Sequence, residues 1–337
     1  MSVITVTEQR ARISKRGERV IVSKDGQLIR EIPLATVDQV HVIGRGVSVT
    51  TPALVMLAQH NVELVYLSQY GRFLASVNGK FHKHGALRLK QALFVSSQKQ
   101  TLPVAKQMVA GKLHNQRTLL WQLRATRPKE VSNAIRGIDD MIKRVSAARN
   151  RDTLLGLEGQ GAVSYWKGFR ALLKGQWGFD KRAYYPPPDP INAMLSFGYT
   201  LLLTDVKAAV RAAGLDPYLG VFHVVDYGRP SLALDLEEEW RAVIVDAMVL
   251  RLVNSGQIKP HDFEYVSKNG QPSGVRLLSE PRKLFLRAYQ ERVNQRALYP
   301  PSNQIETFRR MFLLQAQALA RVVLAEGKIA YKPYTGK

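Results

Sequence analysis

Asn78-Gly79-Lys80-Phe81-His82-Lys83-His84-Gly85-Ala86-Leu87-Arg88-Leu89-Lys90-Gln91-Ala92-Leu93 is the stretch where the chain changes texture. Upstream, short β-branched runs at Ser2–Thr7, Arg19–Ser23, Leu28–Ile32, Gln39–Ile43 and Leu64–Leu67 are separated by Gly, Asp and charged turns, as strands are. Asp25-Gly26 is a hairpin signal and Asn78-Gly79 a further turn. One helix is predicted among them at Thr51–His60, capped by Thr50 or Thr51 with Pro52 in its first turn. Downstream, apolar residues recur every three or four positions through Leu87–Leu123, Glu130–Ala147, Thr153–Leu173, Asn192–Ala213, Ser231–Val253, Glu280–Gln295 and Gln304–Leu324. The prolines of Tyr184–Pro190 exclude a helix there and predict a loop. The expectation is an α+β chain with a β-rich domain over 1–85 and a larger helical one over 86–337.

The bulk composition narrows the partners. Lys and Arg number 49 against 27 Asp and Glu, a formal net charge of +22. Such an excess repels itself and does nothing for fold stability, so it points to a polyanion such as nucleic acid. Residues 101–152 alone carry eleven basic against four acidic residues, which reads as a phosphate-tracking surface. There is no cysteine, which excludes disulfides, thiolate zinc sites and cysteine nucleophiles. The start carries charges where a signal peptide needs apolar residues, and no apolar run approaches the length of a membrane span. A cytoplasmic protein without a membrane partner is expected.

Against this basic background, Asp216 to Asp246 holds seven acids and two arginines. At its centre lies His223-Val-Val-Asp226-Tyr-Gly-Arg229-Pro230-Ser231-Leu-Ala-Leu-Asp235-Leu-Glu-Glu238-Glu239-Trp240-Arg241. Ser231 fits an N-cap, and on the helix it would open Asp235 and Glu238 share a face, with Glu239 also within reach of Asp235. Two neighbouring carboxylates and an imidazole suit Mg²⁺ or Mn²⁺ better than structural zinc. The same acids also suit a helix dipole with Arg241 as an intrahelical partner, and spacing does not separate these readings. Glu158 stands in an otherwise apolar and small segment, Leu154-Leu-Gly-Leu157-Glu158-Gly159-Gln-Gly161, whose glycines permit close approach. A carboxylate there is costly to bury unless it is paired or coordinating. Of the seven histidines only His223 falls beside the acidic cluster, and His82-Lys-His84 reads as a solvent or phosphate contact. No P-loop, dinucleotide fingerprint or nucleophile elbow is present.

Four blocks carry a resemblance to a known family: Leu157-Glu158-Gly159 with Tyr165-Trp166, Arg182 through Tyr199, Ala213 through His223, and Arg229 through Arg241. In that order they resemble the CRISPR-associated integrase, the first of the universal CRISPR adaptation proteins, and weaker similarity extends to both ends. Glu237, Trp240 and Ala242 depart from the family's usual residues, and Glu237 leaves open which acid besides Glu238 lies nearest a metal. The resemblance implies a β-sandwich-like N-terminal domain and an all-helical catalytic domain. It implies Glu158, His223 and Glu238 as metal ligands and Asp235 as a fourth catalytic residue. It also implies homodimers through the N-terminal domain, two of which flank a small companion adaptation protein in a heterohexamer. The implied reaction on double-stranded DNA is attack by a 3′-hydroxyl of incoming DNA on a phosphodiester of the CRISPR repeat. A metal-dependent nuclease acting on branched DNA without joining would use the same residues. Arg182, Arg241 and Arg276 are candidate DNA contacts near the site, and Lys106, Lys112 and Arg117 lie further along. Tyr165 and Tyr199 could stack on a base, with core packing the simpler role for Tyr199. Coordination through neutral His223 predicts loss of activity at acidic pH.

Overall fold

The computed structural model describes residues 2–44, 46–68, 73–79, 84–183, 186–268 and 271–336. The chain divides into two compact units, Met1–His82 and Lys83–Lys337. The first contains β1 (Ser2–Val6), β2 (Ala11–Arg16), β3 (Arg19–Lys24), β4 (Gln27–Pro33), β5 (Val37–Ile43), β6 (Ser48–Val49), α1 (Thr51–Gln59), β7 (Glu63–Leu67) and β8 (Phe73–Val77). These form two four-stranded sheets, ordered β1-β5-β7-β8 and β4-β3-β2-β6. In the first, β5 runs parallel to both β1 and β7, while β8 closes the edge antiparallel. Ile4, Val6, Val40, Val42 and Leu64 from one sheet and Ala11, Ile13, Val20 and Val22 from the other share one apolar core with Met56 and Leu57 of α1. Asp25 and Gly26 both take positive φ, as a tight β3–β4 hairpin turn requires. Thr50 caps α1 by accepting from Ala53 N, with Pro52 in the first turn. Strand β2 escapes the sequence pattern because only Ala11 and Ile13 face inward and its remaining residues are charged or polar.

The second unit opens with α2 (Gly85–Val95) and α3 (Gln98–Leu123), separated at Ser96-Ser97 where one long periodic run was expected. Then follow α4 (Pro128–Val145), α5 (Arg151–Leu172), α6 (Pro190–Ala212), α7 (Ser231–Arg241) and α8 (Ala247–Asn254). Helices α7 and α8 are joined by a π-helical turn at Ala242–Asp246. The expectation of an all-helical domain is corrected by two hairpins. One pairs β9 (Phe263–Lys268) with β10 (Gln271–Leu277), ahead of α9 (Ser279–Asn294). The other pairs β11 (Arg296–Tyr299) with β12 (Gln304–Thr307), ahead of α10 (Phe308–Leu324). Asn269-Gly270 between apolar alternations, and Pro300-Pro301 between Tyr299 and Ile305, supply hairpin punctuation that the helical reading of this region passed over. Gln304–Thr307 is therefore strand, and Thr307 caps α10 by accepting from Arg310 N. The proline-rich loop ends in a cap, since Asp189 accepts from Asn192 N and Pro190 occupies the first position of α6. Helix α6 is long and apolar enough to cross a bilayer, but 78% of its most apolar window is buried against the other helices, as a core helix is.

Candidate active site

Four elements of the second unit bring the site together. Helix α3 presents Lys112 midway along its length, between Gly111 and Leu113. Helix α5 starts at the cap Asn150, whose side chain accepts from Thr153 N, and carries Glu158 two turns on. Its close approach to α3 depends on Gly161, where an added Cβ would stand 2.4 Å from Leu113 Cδ2. Gly156 and Gly159 instead face open space. Helix α7 supplies Asp235 and Glu238, and the loop before it supplies His223.

That loop is moulded on one carboxylate. Oδ2 of Asp235 accepts Val221 N at 2.6 Å and Phe222 N at 2.9 Å. Oδ1 accepts His223 N at 2.8 Å and lies 2.6 Å from His223 Nδ1. The Asp235 side chain is fully buried, so these four donors replace its water. The arrangement defines a part for Asp235, expected as a fourth catalytic residue: its oxygens are consumed by these donors, and it orients the imidazole. An aspartate accepting at Nδ1 fixes the tautomer that leaves Nε2 as the basic nitrogen. Ser231 is likewise not the cap of α7. It is the first helical residue, and its hydroxyl donates to Val224 O at 2.6 Å, tying the loop's far side to the helix. Gly220 is obligatory in this fold, because a Cβ there would lie 2.6 Å from His223 O.

Glu158 and Glu238 converge on one cation, the ammonium of Lys112. Nζ hydrogen-bonds Glu158 Oε1 and lies 2.7 Å from Glu238 Oε2, an ion pair without hydrogen-bond alignment. The Lys112 and Glu238 side chains are each 10% exposed, and that of Glu158 is 21% exposed. The other Glu238 oxygen is 2.5 Å from Arg241 Nη1, while Nη2 of the same guanidinium holds Glu237 at 2.8 Å. Burial alone would raise the Glu238 carboxyl, but Arg241 and then Lys112 outweigh it and bring it to about 2. Burial lowers the Lys112 ammonium, and Glu238 and Glu158 more than offset this, for a net rise. Among the described residues no three His, Asp or Glu side chains stand together as a metal-holding group, and the two carboxylates meet Lys112.

A buried polar layer supports this centre. The hydroxyls of Tyr165 and Tyr199 both donate to Asp246 of the π turn, at 2.7 and 2.6 Å, and burial pushes that carboxyl to about 6. Arg241 lies over the Tyr199 ring, 4.7 Å from its centre. Tyr165 is fully buried, which removes it as a base-stacking candidate, and Tyr199 packs in the core. Glu239, within reach of Asp235 by helix spacing, is engaged elsewhere. It accepts Tyr331 Oη at 2.6 Å and Tyr334 N at 2.9 Å, and so pins the chain after α10 onto α7. Burial pushes Glu237 to about 7 and Glu239 to about 8.

The remaining basic candidates are paired elsewhere. Arg182 donates to Asn192 Oδ1 at 2.8 Å and Ser196 Oγ at 3.0 Å, bolting the proline loop to α6. Arg276 pairs with Glu264 across the β9–β10 hairpin. Arg117 meets Asp139 at 2.5 Å between α3 and α4, and Lys106 donates to Ser146 O at 2.8 Å. Lys112 was expected along a DNA track and instead lies inside the site. The signal that could have placed it is its setting between Gly111 and Leu113 in an apolar part of α3, where a cation needs anionic partners. His82 lies outside the described residues, and His84 stands at the start of α2.

The pattern that defines the family "CRISPR associated protein Cas1" matches residues 4–291. "CRISPR-associated endonuclease Cas1 3" of Thermus thermophilus is 34% identical over 329 residues, covering 97% of this chain and 95% of the relative. "CRISPR-associated endonuclease Cas1 2" of Rhodospirillum rubrum is 35% identical over 351 aligned positions, covering 100% and 99%. Among solved structures, a chain of the "Cas6-RT-Cas1--Cas2 complex" superposes with a TM-score of 0.85 at 26% identity, covering 100% of this chain and 36% of that longer one.

Proposed function

This chain belongs to the CRISPR associated protein Cas1 family, and we propose that it is a metal-dependent DNA endonuclease and integrase of CRISPR adaptation, a cytoplasmic enzyme that inserts short foreign DNA into a CRISPR array. The observation that carries this reading is the convergence of Glu158 and Glu238 on one largely buried cationic point. It is supported by the neighbouring His223, whose Nδ1 is held by Asp235. The similar proteins named as endonucleases, and the similar chain within a Cas1–Cas2 complex, agree with it.

Glu158, Glu238 and His223 would hold Mg²⁺ or Mn²⁺, two hard oxygen donors and one imidazole, with Lys112 marking where a cation is favoured. Such a cation, when bound, polarises a phosphoryl oxygen and stabilises charge on the attacking and leaving oxygens. The chain's own residues set the stage. Asp235 keeps the imidazole turned with Nε2 available, and Arg241 keeps Glu238 ionised and fixed by one oxygen. A 3′-hydroxyl of the incoming DNA attacks a phosphodiester at the repeat boundary. One P–O bond forms as another breaks, the departing strand leaves as a new 3′-hydroxyl, and no covalent enzyme intermediate is needed. The net charge of +22 supplies the attraction to both duplexes. The N-terminal unit mediates a homodimer, and two dimers flank the small companion Cas2-type protein.

The test is product analysis. The protein is incubated with a labelled short duplex bearing free 3′ ends and a plasmid carrying a CRISPR array, in Mn²⁺, in Mg²⁺ or in chelator, with and without the companion. Label in molecules longer than either substrate, only with metal, is the expected outcome. Metal-dependent cutting without joined product, companion included, would reduce the activity to that of a nuclease. Joining that survives chelation would remove the metal from the mechanism.

A further inference from the structure

The most unusual feature of the second unit is a lysine held by the two carboxylates proposed to bind the metal. Lys112 is 10% exposed, its ammonium hydrogen-bonds Glu158, and it lies 2.7 Å from Glu238. These contacts join α3 to both α5 and α7, so Lys112 ties together the three helices that form the site. Arg241 cannot replace it, because its fork is committed to Glu237 and the outer oxygen of Glu238. Gly161 lets Leu113, the neighbour of Lys112, press against α5, which sets the short reach from Lys112 to Glu158.

We propose that Lys112 is an internal counter-cation that occupies the carboxylate pair until a divalent cation arrives, and that the two occupy this point alternately. This rests on the metal site proposed above. Glu158 and Glu238 both meet the one ammonium, and two carboxylates brought to a common point repel each other without a cation between them. Without Lys112 the metal-free protein would hold two uncompensated carboxylates beside each other, and the helices would spread or a proton would be taken up. With a divalent ion between the same oxygens, an ammonium in contact with both would meet strong like-charge repulsion. The flexible four-carbon stem lets the ammonium swing away without moving α3. Once displaced, it stands beside the metal with a free positive charge, where a DNA phosphate is the available anion. Lys112 is thus a positioning residue for the ligands before metal binding and a phosphate contact after it.

The experiment is Mn²⁺ binding, followed by electron paramagnetic resonance on wild type, Lys112→Met and Glu158→Ala without DNA. The expectation is one site that Glu158→Ala abolishes and Lys112→Met binds about tenfold more tightly, since the competitor is gone. The metal-free Lys112→Met protein melts below wild type and gains more in Tm on saturation with Mn²⁺. A lysine that merely packs would lower Tm without tightening Mn²⁺. Unchanged or weaker Mn²⁺ binding by Lys112→Met, with the wild-type site intact, overturns this inference alone. If wild type shows no Mn²⁺ site sensitive to Glu158→Ala, the proposed metal site falls with it. A second measurement needs no variant: reductive methylation of Lys112 in wild type, read by mass spectrometry. It is expected to be slow in chelator and faster with Mn²⁺, and equal rates in both conditions contradict the displacement.

Discussion

Asp235→Asn is a nearly isosteric change with a large expected effect. The carboxylate accepts four donors at 2.6 to 2.9 Å, two on each oxygen. Asparagine keeps one accepting oxygen and turns the other into a donor. With the NH₂ toward Val221 N and Phe222 N, two bonds are lost and donors face donors; with it toward His223, the bond from His223 N is lost and the ring keeps a partner only in the tautomer whose Nδ1 accepts. At about 1.5–3 kcal/mol for each bond to a charged group, the loss of one or two bonds costs about 1.5–6 kcal/mol. For a unit of this size that corresponds to a fall in Tm on the order of 10 °C. Either way the His223 ring loses its charged partner, and an orienting residue of this kind is worth about 10–100-fold in metal affinity or activity. The assay is a far-UV circular dichroism melt beside the joining assay at saturating metal. A melt within about 2 °C of wild type, a shift well under 1.5 kcal/mol, with joining undiminished would refute the clamp.

Other expectations follow from the same geometry. Glu237, Glu239 and Asp246 are pushed up to about 7, 8 and 6 by burial, so between the ordinary carboxylate range and these values the folded chain holds protons that the unfolded chain has lost. Their contribution to stability is complete below the ordinary carboxylate range and is lost as pH rises through these raised values. Tm should fall between about pH 6 and pH 8.5, and Glu239→Gln should flatten that slope; a Tm that rises over this range contradicts the assignment. Gly161→Ala drives a methyl into Leu113 and should cost about 1–3 kcal/mol with loss of joining. Gly156→Ala on the same helix faces open space and should gain up to about 1 kcal/mol; equal melts for the two variants would remove the close-approach argument. Tyr331→Phe removes the hydroxyl shared by Glu239 and Gln315 and should cost about 1–3 kcal/mol, read by thermal melt; a melt equal to wild type would mean that the segment after α10 is not held there.

Local pattern made part of this architecture legible. Strand punctuation such as Asp25-Gly26 and the helical spacing after Leu87 depend on near neighbours, and so does the Thr50 cap with Pro52. The acidic block at 235–239 stands out against a basic chain, and Glu158 stands out in an apolar helix. What stayed hidden is long-range. Lys112 meets Glu158 across 46 positions and Tyr331 meets Glu239 across 92, and no periodicity predicts such pairs. The role of Asp235 was hidden for a different reason: helix spacing puts it on the face of Glu238, but three amides of a loop without regular structure claim it first. The hairpin strands β9 to β12 are short and follow long helices, so their turn residues were outweighed by the helical period around them.

The most direct measurement of the central claim is label transfer by Glu158→Ala, His223→Ala and Glu238→Ala, each checked for a cooperative melt, beside wild type with metal and companion protein. Labelled plasmid is expected from wild type and none from any of the three. Joining at wild-type rates by all three variants would contradict that claim.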